Sequence, residues 1–398
     1  MRCDRPQAGS LWYNQRQTYV RRTYSTLTKV LHILDSLNRG GAEIMALDLC
    51  RNSNANGLNL TFVATGGGDL EDDFRNSGVD FVRLNRRLPV DLGLVSKLRQ
   101  IIAEREIDVV HSHQPVEALH LYLATRGSPV KQVLTLHGVY AGMKNALALR
   151  FVLPRIHARV LLGKELAAWL TEEQGVDVGT DFMVINNGVD PRRLLVTGRK
   201  LRTELGLSED AILCGMVANF YPDRRKDQLT VCQALPQHFE RDPRAQFVFV
   251  GGSSDAPDLL DECASLCKQQ NISNRVHFLG QRSDIPDVLN SLDLFVLSSR
   301  WEGSPISAIE AMMLSVPTVL SDIAPLKEIS GDGEFAVLFR TGDADDLASK
   351  LIQLAGDGEY RARLAVLAKR WAIRQYSIET HIANLLKLYG SLLSLEGR

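Results

Sequence analysis

Short apolar runs punctuate the chain at regular intervals. KVLHILDSL (29–37), LTFVAT (60–65), VDFVRL (79–84), DVVHSH (108–113) and KQVLTLHG (131–138) each have the length and β-branched content of a strand. Between them, IMALDLCRN and LVSKLRQIIAEREI (94–107) space their apolar residues as helices do. Strands alternating with helices predict parallel βαβ units. GGGDLEDDFRNSG, after the second run, reads as a loop and a short helix. The pattern then restarts. AILCGMVANF (211–220), QFVFVGG (246–252), VHFLG (276–280), LFVLSS (294–299) and PTVLSD (317–322) are the strands of a second series. Asn, Gly and Pro cluster between the two series in INNGVDP (185–191), which marks a junction. YSIETHIANLLKLYGSLLSL (376–395) reads as a long amphipathic closing helix. The expected fold is therefore α/β, with two doubly wound halves.

Length agrees: 398 residues exceed the usual size of one core. Composition is that of a soluble globular protein, 45% hydrophobic and 23% charged. A net charge of −1 gives no global field toward nucleic acid or anionic lipid. The six cysteines form no CxxC pair, and their scatter through apolar segments suits a reducing cytoplasm. Cys263 and Cys267, four apart on a helix, read as ordinary reduced thiols, because no second ligand pair accompanies them. No apolar run reaches the roughly 18 residues of a membrane span. Residues 1–26 are polar and basic, lack an apolar core of signal-peptide length, and are expected to form a disordered extension.

Open α/β sheets bind ligands beyond the carboxyl ends of their strands, and the chemistry-bearing residues cluster there. RWEGSPISAIEAM (300–312) follows the strand LFVLSS. Pro305 suits a first helical turn, where its missing N–H costs nothing. Gly303 and Ser304 leave N–H groups at a positive dipole end, an anion site. Glu302 precedes this helix start. Glu310 leans back toward it, among Ala308, Ile309, Ala311, Met312 and Met313, which leave little polar face. A carboxylate accepts two vicinal hydroxyls well. ANFYPDRRKDQL (218–229) places Arg224, Arg225 and Lys226 after another strand, where a diphosphate can be held. Gly40 and Gly41 follow the first strand and allow close backbone approach. His137 ends its strand in the same position. His111 and His113 are read as alternating in direction, so that at most one faces the cleft. AGMKNALALRFVLPRIHARVLL (141–162) reads as an apolar helical stretch with Lys144, Arg150, Arg155 and Arg159 along it, on local grounds a core-facing helix with solvated cations, with a basic surface resting on a bilayer as the alternative.

Glu302 and Glu310, with seven residues between them, resemble the E-x7-E element of retaining glycosyltransferases. VHFLGQRSDIPDVLNSLDLFVLSSRWEGSPISAIEAMMLSVPTVLSDIAPLKEI (276–329) resembles the C-terminal signature of glycosyltransferase family 4. NGVD (187–190), FVFVGG (247–252), TGDADDLA (341–348), HILDSLNRGGAE (32–43) and HSHQP (111–115) fit the same pattern, which spans about residues 27–398. The resemblance implies a GT-B fold: two Rossmann-like domains facing a cleft, 27–185 with 376–398 binding the acceptor, 186–375 binding the nucleotide-sugar. It implies that Glu310 binds the donor ribose and Glu302 lies near the donor sugar. The loop Gly303, Ser304, Pro305 and Ile306 faces the donor. Lys226 binds the diphosphate, Gly40 and Gly41 approach phosphate and sugar, Gly251 belongs to the donor site, and His137 lies beside the sugar. The family's usual Arg falls at Asn219, so Arg225 or Arg224 is expected to supply the second phosphate cation.

The implied activity is retaining, metal-independent sugar transfer from a UDP-sugar or GDP-sugar to a glycan or lipid-linked acceptor, with no bound cofactor and no metal. Acceptors of this kind are at home in polysaccharide or lipopolysaccharide assembly. They suggest a cytoplasmic protein in peripheral contact with the inner face of a membrane. Asp343 and Asp345, in a DAD at 343–345, are read as structural. Two alternatives remain at this stage, a catalytically weak nucleotide-sugar-binding partner subunit and a nucleotide-sugar epimerase. No GxGxxG follows a strand, which disfavours a nicotinamide enzyme.

Overall fold

The structure, a computed structural model, describes residues 28–138, 143–172, 175–198, 200–253 and 256–394. The amino-terminal extension 1–26 lies outside the described residues. Two parallel sheets carry the fold, as the restarting pattern requires. The first has seven strands, in the order β3-β2-β1-β4-β5-β6-β7. They are β1 Lys29–Leu34, β2 Asn59–Ala64, β3 Asp80–Arg83, β4 Val109–Ser112, β5 Lys131–Leu136, β6 Ala158–Leu161 and β7 Met183–Val184. The second has six, in the order β10-β9-β8-β11-β12-β13. They are β8 Ile212–Val217, β9 Ala245–Val250, β10 Val276–Phe278, β11 Leu294–Leu297, β12 Thr318–Ser321 and β13 Val337–Phe339. In each sheet the order reverses beside the first strand of its half, which opens a crevice at the carboxyl ends. This is a two-domain Rossmann-like GT-B architecture.

Three strands depart from the pattern read in the sequence. The stretch 141–162 is not one helix. Its helix covers Met143–Val152, Pro154 sits in a short turn Leu153–Arg155, and β6 follows. Arg159 on β6 donates to the Leu153 carbonyl at 3.1 and 2.7 Å, so it serves this turn and not a helix face. β7 and β13 are too short for periodicity to mark.

The closing segment is the helix Ile378–Ser394. Its Ile378, Ile382, Leu385, Leu388 and Tyr389 join the core formed by β1, β2 and the helix Gly41–Ser53. It follows the helix Gly358–Tyr376, which packs Ala368 and Ala372 on Ile309, Met312 and Met313 of the second half. Met45 of the first half completes this cluster, so apolar packing continues across the junction. Asp343 caps the helix Ala344–Gly356 by accepting from the Asp346 N–H, the structural role expected of the DAD. Cys263 and Cys267 are buried in the core of the second half. Among the described residues, no helix is long and apolar enough to cross a membrane.

Candidate functional site

The loop after β8 is stitched to the chain after β11. The Asp227 N–H donates to the Ser298 carbonyl at 2.8 Å, and the Arg300 N–H to the Arg225 carbonyl at 2.9 Å. Lys226 and Ser299 form an isolated antiparallel bridge between the same segments. This pairing carries the Lys226 ammonium onto the Glu302 carboxylate, where the two form an ion pair. The Ser299 hydroxyl donates to the same carboxylate oxygen at 2.6 Å, which fixes the Glu302 rotamer. Both side chains are largely buried.

Glu310 is 5% exposed on the helix Ile306–Met313. Its carboxylate accepts from Arg193, which follows NGVD in the junction. Arg193 also donates to Asp48 Oδ2 at 2.6 Å, and Asp48 lies on the helix Gly41–Ser53 of the first half. One guanidinium therefore bridges the two halves. Its two carboxylate partners hold its pKa above the ordinary arginine value against the cost of burial. Burial raises Asp48 to about 6 despite the Arg193 charge. Both glutamates of the E-x7-E pair thus already face a cation.

The mouth of the cleft is built at close quarters. A Cβ on Gly303 would stand 2.5 Å from the His137 carbonyl oxygen. A Cβ on Gly138 would stand 2.7 Å from the Trp301 ring. A Cβ on Gly41 would stand 3.6 Å from Ile306. The first-half loops therefore touch the helix start of the second half. Pro305 is the N-cap of the helix, one residue earlier than the first-turn position expected, and Ile306 begins it. Asn187 of the junction donates to the Ser304 carbonyl at 2.9 Å and holds this loop. A cavity of about 610 Å³ lies here. Its lining includes Gly40, Gly41, His137, Arg225, Lys226, Gly251, Glu302, Gly303, Ser304, Pro305, Ile306 and Glu310.

Three expectations need correction or refinement. Arg224 pairs with the exposed Glu262 at 2.8 Å and is not among the cavity's lining residues, whereas Arg225 lines it. Arg225 is held by Asp223 at 2.6 Å and lies over the Tyr221 ring at 4.7 Å. Asn219, in place of the usual Arg, accepts from the Gly252 N–H at 2.8 Å and braces the loop after β9. His111 and His113 do not alternate. Residues two apart on a strand share a face, and the two rings stack at 4.9 Å and 10°. His113 Nδ1 reaches His137 Nε2 at 2.7 Å, so His113 stands directly behind the cleft.

Arg193, Asp48 and Glu43 were not singled out from sequence. Glu43 lines the cavity, and burial raises its pKa to about 7. The only sequence signal for Arg193 was its place just after NGVD.

Two family models cover the halves in turn. One described as "Glycosyltransferase Family 4" matches residues 39–193, and one described as "Glycosyl transferases group 1" matches residues 198–371. N-acetyl-alpha-D-glucosaminyl L-malate synthase of Bacillus anthracis is 26% identical over 77% of this chain and 80% of its own. The UDP-Gal:alpha-D-GlcNAc-diphosphoundecaprenol alpha-1,3-galactosyltransferase of Escherichia coli is 26% identical over 72% of this chain and 76% of its own. Among solved structures, Anabaena HepE in complex with UDP and glucose superposes with a TM-score of 0.78 at 21% identity, covering 92% of this chain and all of that one.

Proposed function

The chain belongs to glycosyltransferase family 4 and transfers sugars, and from that premise we propose a retaining, metal-independent transfer from a nucleoside-diphosphate sugar to a hydroxyl acceptor. The observation that carries the reading is the convergence of Lys226, Glu302, Glu310 and the Gly303–Ile306 helix start on one cavity between the halves. The bond between the sugar's anomeric carbon and the diphosphate oxygen breaks as negative charge grows on the leaving group. Lys226, Arg225 and the helix dipole stabilise that charge in place, without a metal ion. The acceptor oxygen attacks from the same face, and its proton passes to the departing phosphate oxygen. Glu310 receives the ribose hydroxyls, and Glu302 holds Lys226 beside the donor sugar.

The donor reading of UDP draws support from HepE, whose structure holds UDP and glucose, and from the galactosyltransferase named for UDP-Gal. The same relative, named for a diphosphoundecaprenol acceptor, supports a lipid-linked acceptor here. Met143, Leu147 and Phe151 are exposed on the helix Met143–Val152 beside Arg150 and Arg155, a face suited to the peripheral membrane contact such an acceptor requires. Flotation with anionic vesicles at physiological salt tests that contact, and absence of binding overturns it.

A thermal-shift screen against UDP, GDP, ADP, their sugars and NAD tests the donor site. A ligand that binds only the native state raises the midpoint by mass action. One nucleoside diphosphate is expected to raise it, and Glu310→Ala to abolish most of the rise. Lys226→Ala is expected to lower transfer by about 100-fold, the loss typical of one preorganised charge partner. Full activity in both variants would defeat the assignment.

A further inference from the structure

The helix Gly41–Ser53 of the first half runs lengthwise along the cavity. Gly41, Ile44, Asp48 and Arg51 lie three, four and three positions apart, on one helix face, and all four line it. The ten residues from Gly41 to Arg51 span about 15 Å of helix. Two contacts fix what stands opposite each point. At the Gly41 end, a Cβ would stand 3.6 Å from Ile306, at the helix start of the second half. Two turns further on, Asp48 is joined to Glu310 through Arg193. In the donor reading above, phosphate sits at the first point and ribose at the second. Arg51 lies one turn beyond Asp48, where the next part of a nucleotide is its base.

That end of the cavity is an apolar slot with one charged edge. Leu47 and Leu70 of the first half line it and are buried, and Ile285 and Pro286 line it from the second half. Arg51 and Asp73, the latter on the helix Glu71–Arg75, also line it. Arg51 Nη2 donates to Asp73 Oδ1 at 2.6 Å. Among the described residues neither side chain makes another hydrogen bond. Arg51 therefore keeps donors, and Asp73 its second oxygen, for a ligand. The charged group of the opposite wall is already committed, since Arg282 donates to Asp284 at 2.8 Å through two nitrogens and to Glu204 at 2.9 Å. Gln281 and Ser283 bring only neutral groups to that wall.

We propose that the Arg51–Asp73 pair of the first half reads the nucleobase of the donor, and that the base it fits is uracil. The proposal rests on the donor-site reading above and goes beyond it in giving base selection to the first half. A flat ring fits between the two apolar walls, with its edge toward the pair. Uracil carries a ring N–H flanked by two carbonyls. The carboxylate accepts from that N–H, and the guanidinium donates to the nearer or the farther carbonyl, whichever side of the carboxylate it stands on. Cytosine and adenine carry an amino group beside a bare ring nitrogen, and pair only if the guanidinium stands nearer the ribose. Guanine has a carbonyl on one side of its ring N–H only, and pairs only if the guanidinium stands farther away. Uracil is thus the one common base that both arrangements accept.

Isothermal titration calorimetry of the full-length protein with UDP and CDP tests the proposal, because the two ligands differ only at this edge. UDP is expected to bind about 10-fold more tightly than CDP, within the range that one bidentate base contact gives. Arg51→Ala and Asp73→Ala are each expected to bring the two affinities close to equal, by loss of UDP affinity. The pair is 40% and 43% exposed, and exposed pairs add little to stability, so both variants are expected to fold. The two substitutions change charge in opposite directions. A general pull on an anionic ligand would make Arg51→Ala weaken, and Asp73→Ala strengthen, UDP and CDP together. That pattern would overturn the proposal, as would an unchanged UDP-to-CDP ratio in either variant. Equal affinities in the unsubstituted protein would do the same. Glu310→Ala separates this proposal from the donor-site reading. If it abolishes UDP binding while Arg51→Ala and Asp73→Ala keep the ratio, the donor site stands and the base reader falls. Full UDP affinity in Glu310→Ala would remove the donor-site reading and this proposal with it.

Discussion

At the scale of single residues, the cleft sets two ion-paired glutamates beside Glu43, a carboxylate of a different kind. Lys226 faces Glu302 and Arg193 faces Glu310, but Glu43 has its pKa raised to about 7 chiefly by burial, with Asp35 nearby adding to the rise. The sign of its effect follows from linkage. An unfolded Glu releases its proton near the ordinary value of 4.5, whereas the folded protein holds it to about 7. Between those values the native state binds more protons, so this group lowers stability as pH rises through the window. A protonated Glu43 also spares an incoming diphosphate a negative neighbour. The midpoint rise produced by a nucleotide-sugar is therefore expected to be larger at pH 6 than at pH 8, and Glu43→Gln to flatten that difference. An equal pH dependence in Glu43→Gln would show that another group controls it. Glu302, Glu310, Lys226 and His137 were legible in sequence because each follows a strand. The partnership of Glu310 with Arg193 was not, since 117 positions separate them and no local pattern joins them.

At the scale of elements, the long strands and the closing helix announced themselves, and the short pieces did not. β7 has two residues and β13 three, less than one alternation period needs to be seen. β6 was hidden because its apolar residues continue those of the preceding helix, and only Pro154 marks the break. The loop after β9 shows how an element end is fixed by backbone alone. Gly251 donates to the Gly280 carbonyl at 2.9 Å, and a Cβ there would lie 2.1 Å from the Ala218 carbonyl oxygen. Both sides of that overlap are main chain, so neither can swing away. Gly251→Ala is expected to cost about 1–3 kcal/mol in urea unfolding, the usual range for an overpacked site, and to weaken nucleotide binding by displacing the loop. Gly356→Ala provides the contrast. Nothing stands within 4 Å of a Cβ there, and the position ends a helix. It is expected to be neutral or to stabilise by up to about 1 kcal/mol. Equal losses in the two variants would contradict the packing argument.

At the scale of the whole molecule, the two halves are joined by more than the chain between them. The closing helix returns to the first core, the Ala368 and Ala372 face packs across the junction cluster, and Arg193 ties Asp48 of one half to Glu310 of the other. The first two links are apolar, and the first of them was foreshadowed by the amphipathic pattern at 376–395. The third is ionic, and its effect extends beyond its own site. Removing Arg193 leaves two buried carboxylates facing each other without a cation, and breaking a buried pair in this way typically costs about 3–5 kcal/mol. Because the carboxylates belong to different halves, that cost falls on their association as well as on either core. Arg193→Ala is therefore expected to lower the unfolding midpoint and to separate a single calorimetric transition into two. It should also weaken nucleotide binding, since Glu310 loses the group that holds its carboxylate in place. Arg193→Ala combined with Asp48→Asn relieves part of the repulsion and is expected to recover part of the midpoint, while nucleotide binding stays weak. A single transition at the unsubstituted midpoint in Arg193→Ala would mean that apolar packing alone holds the halves together.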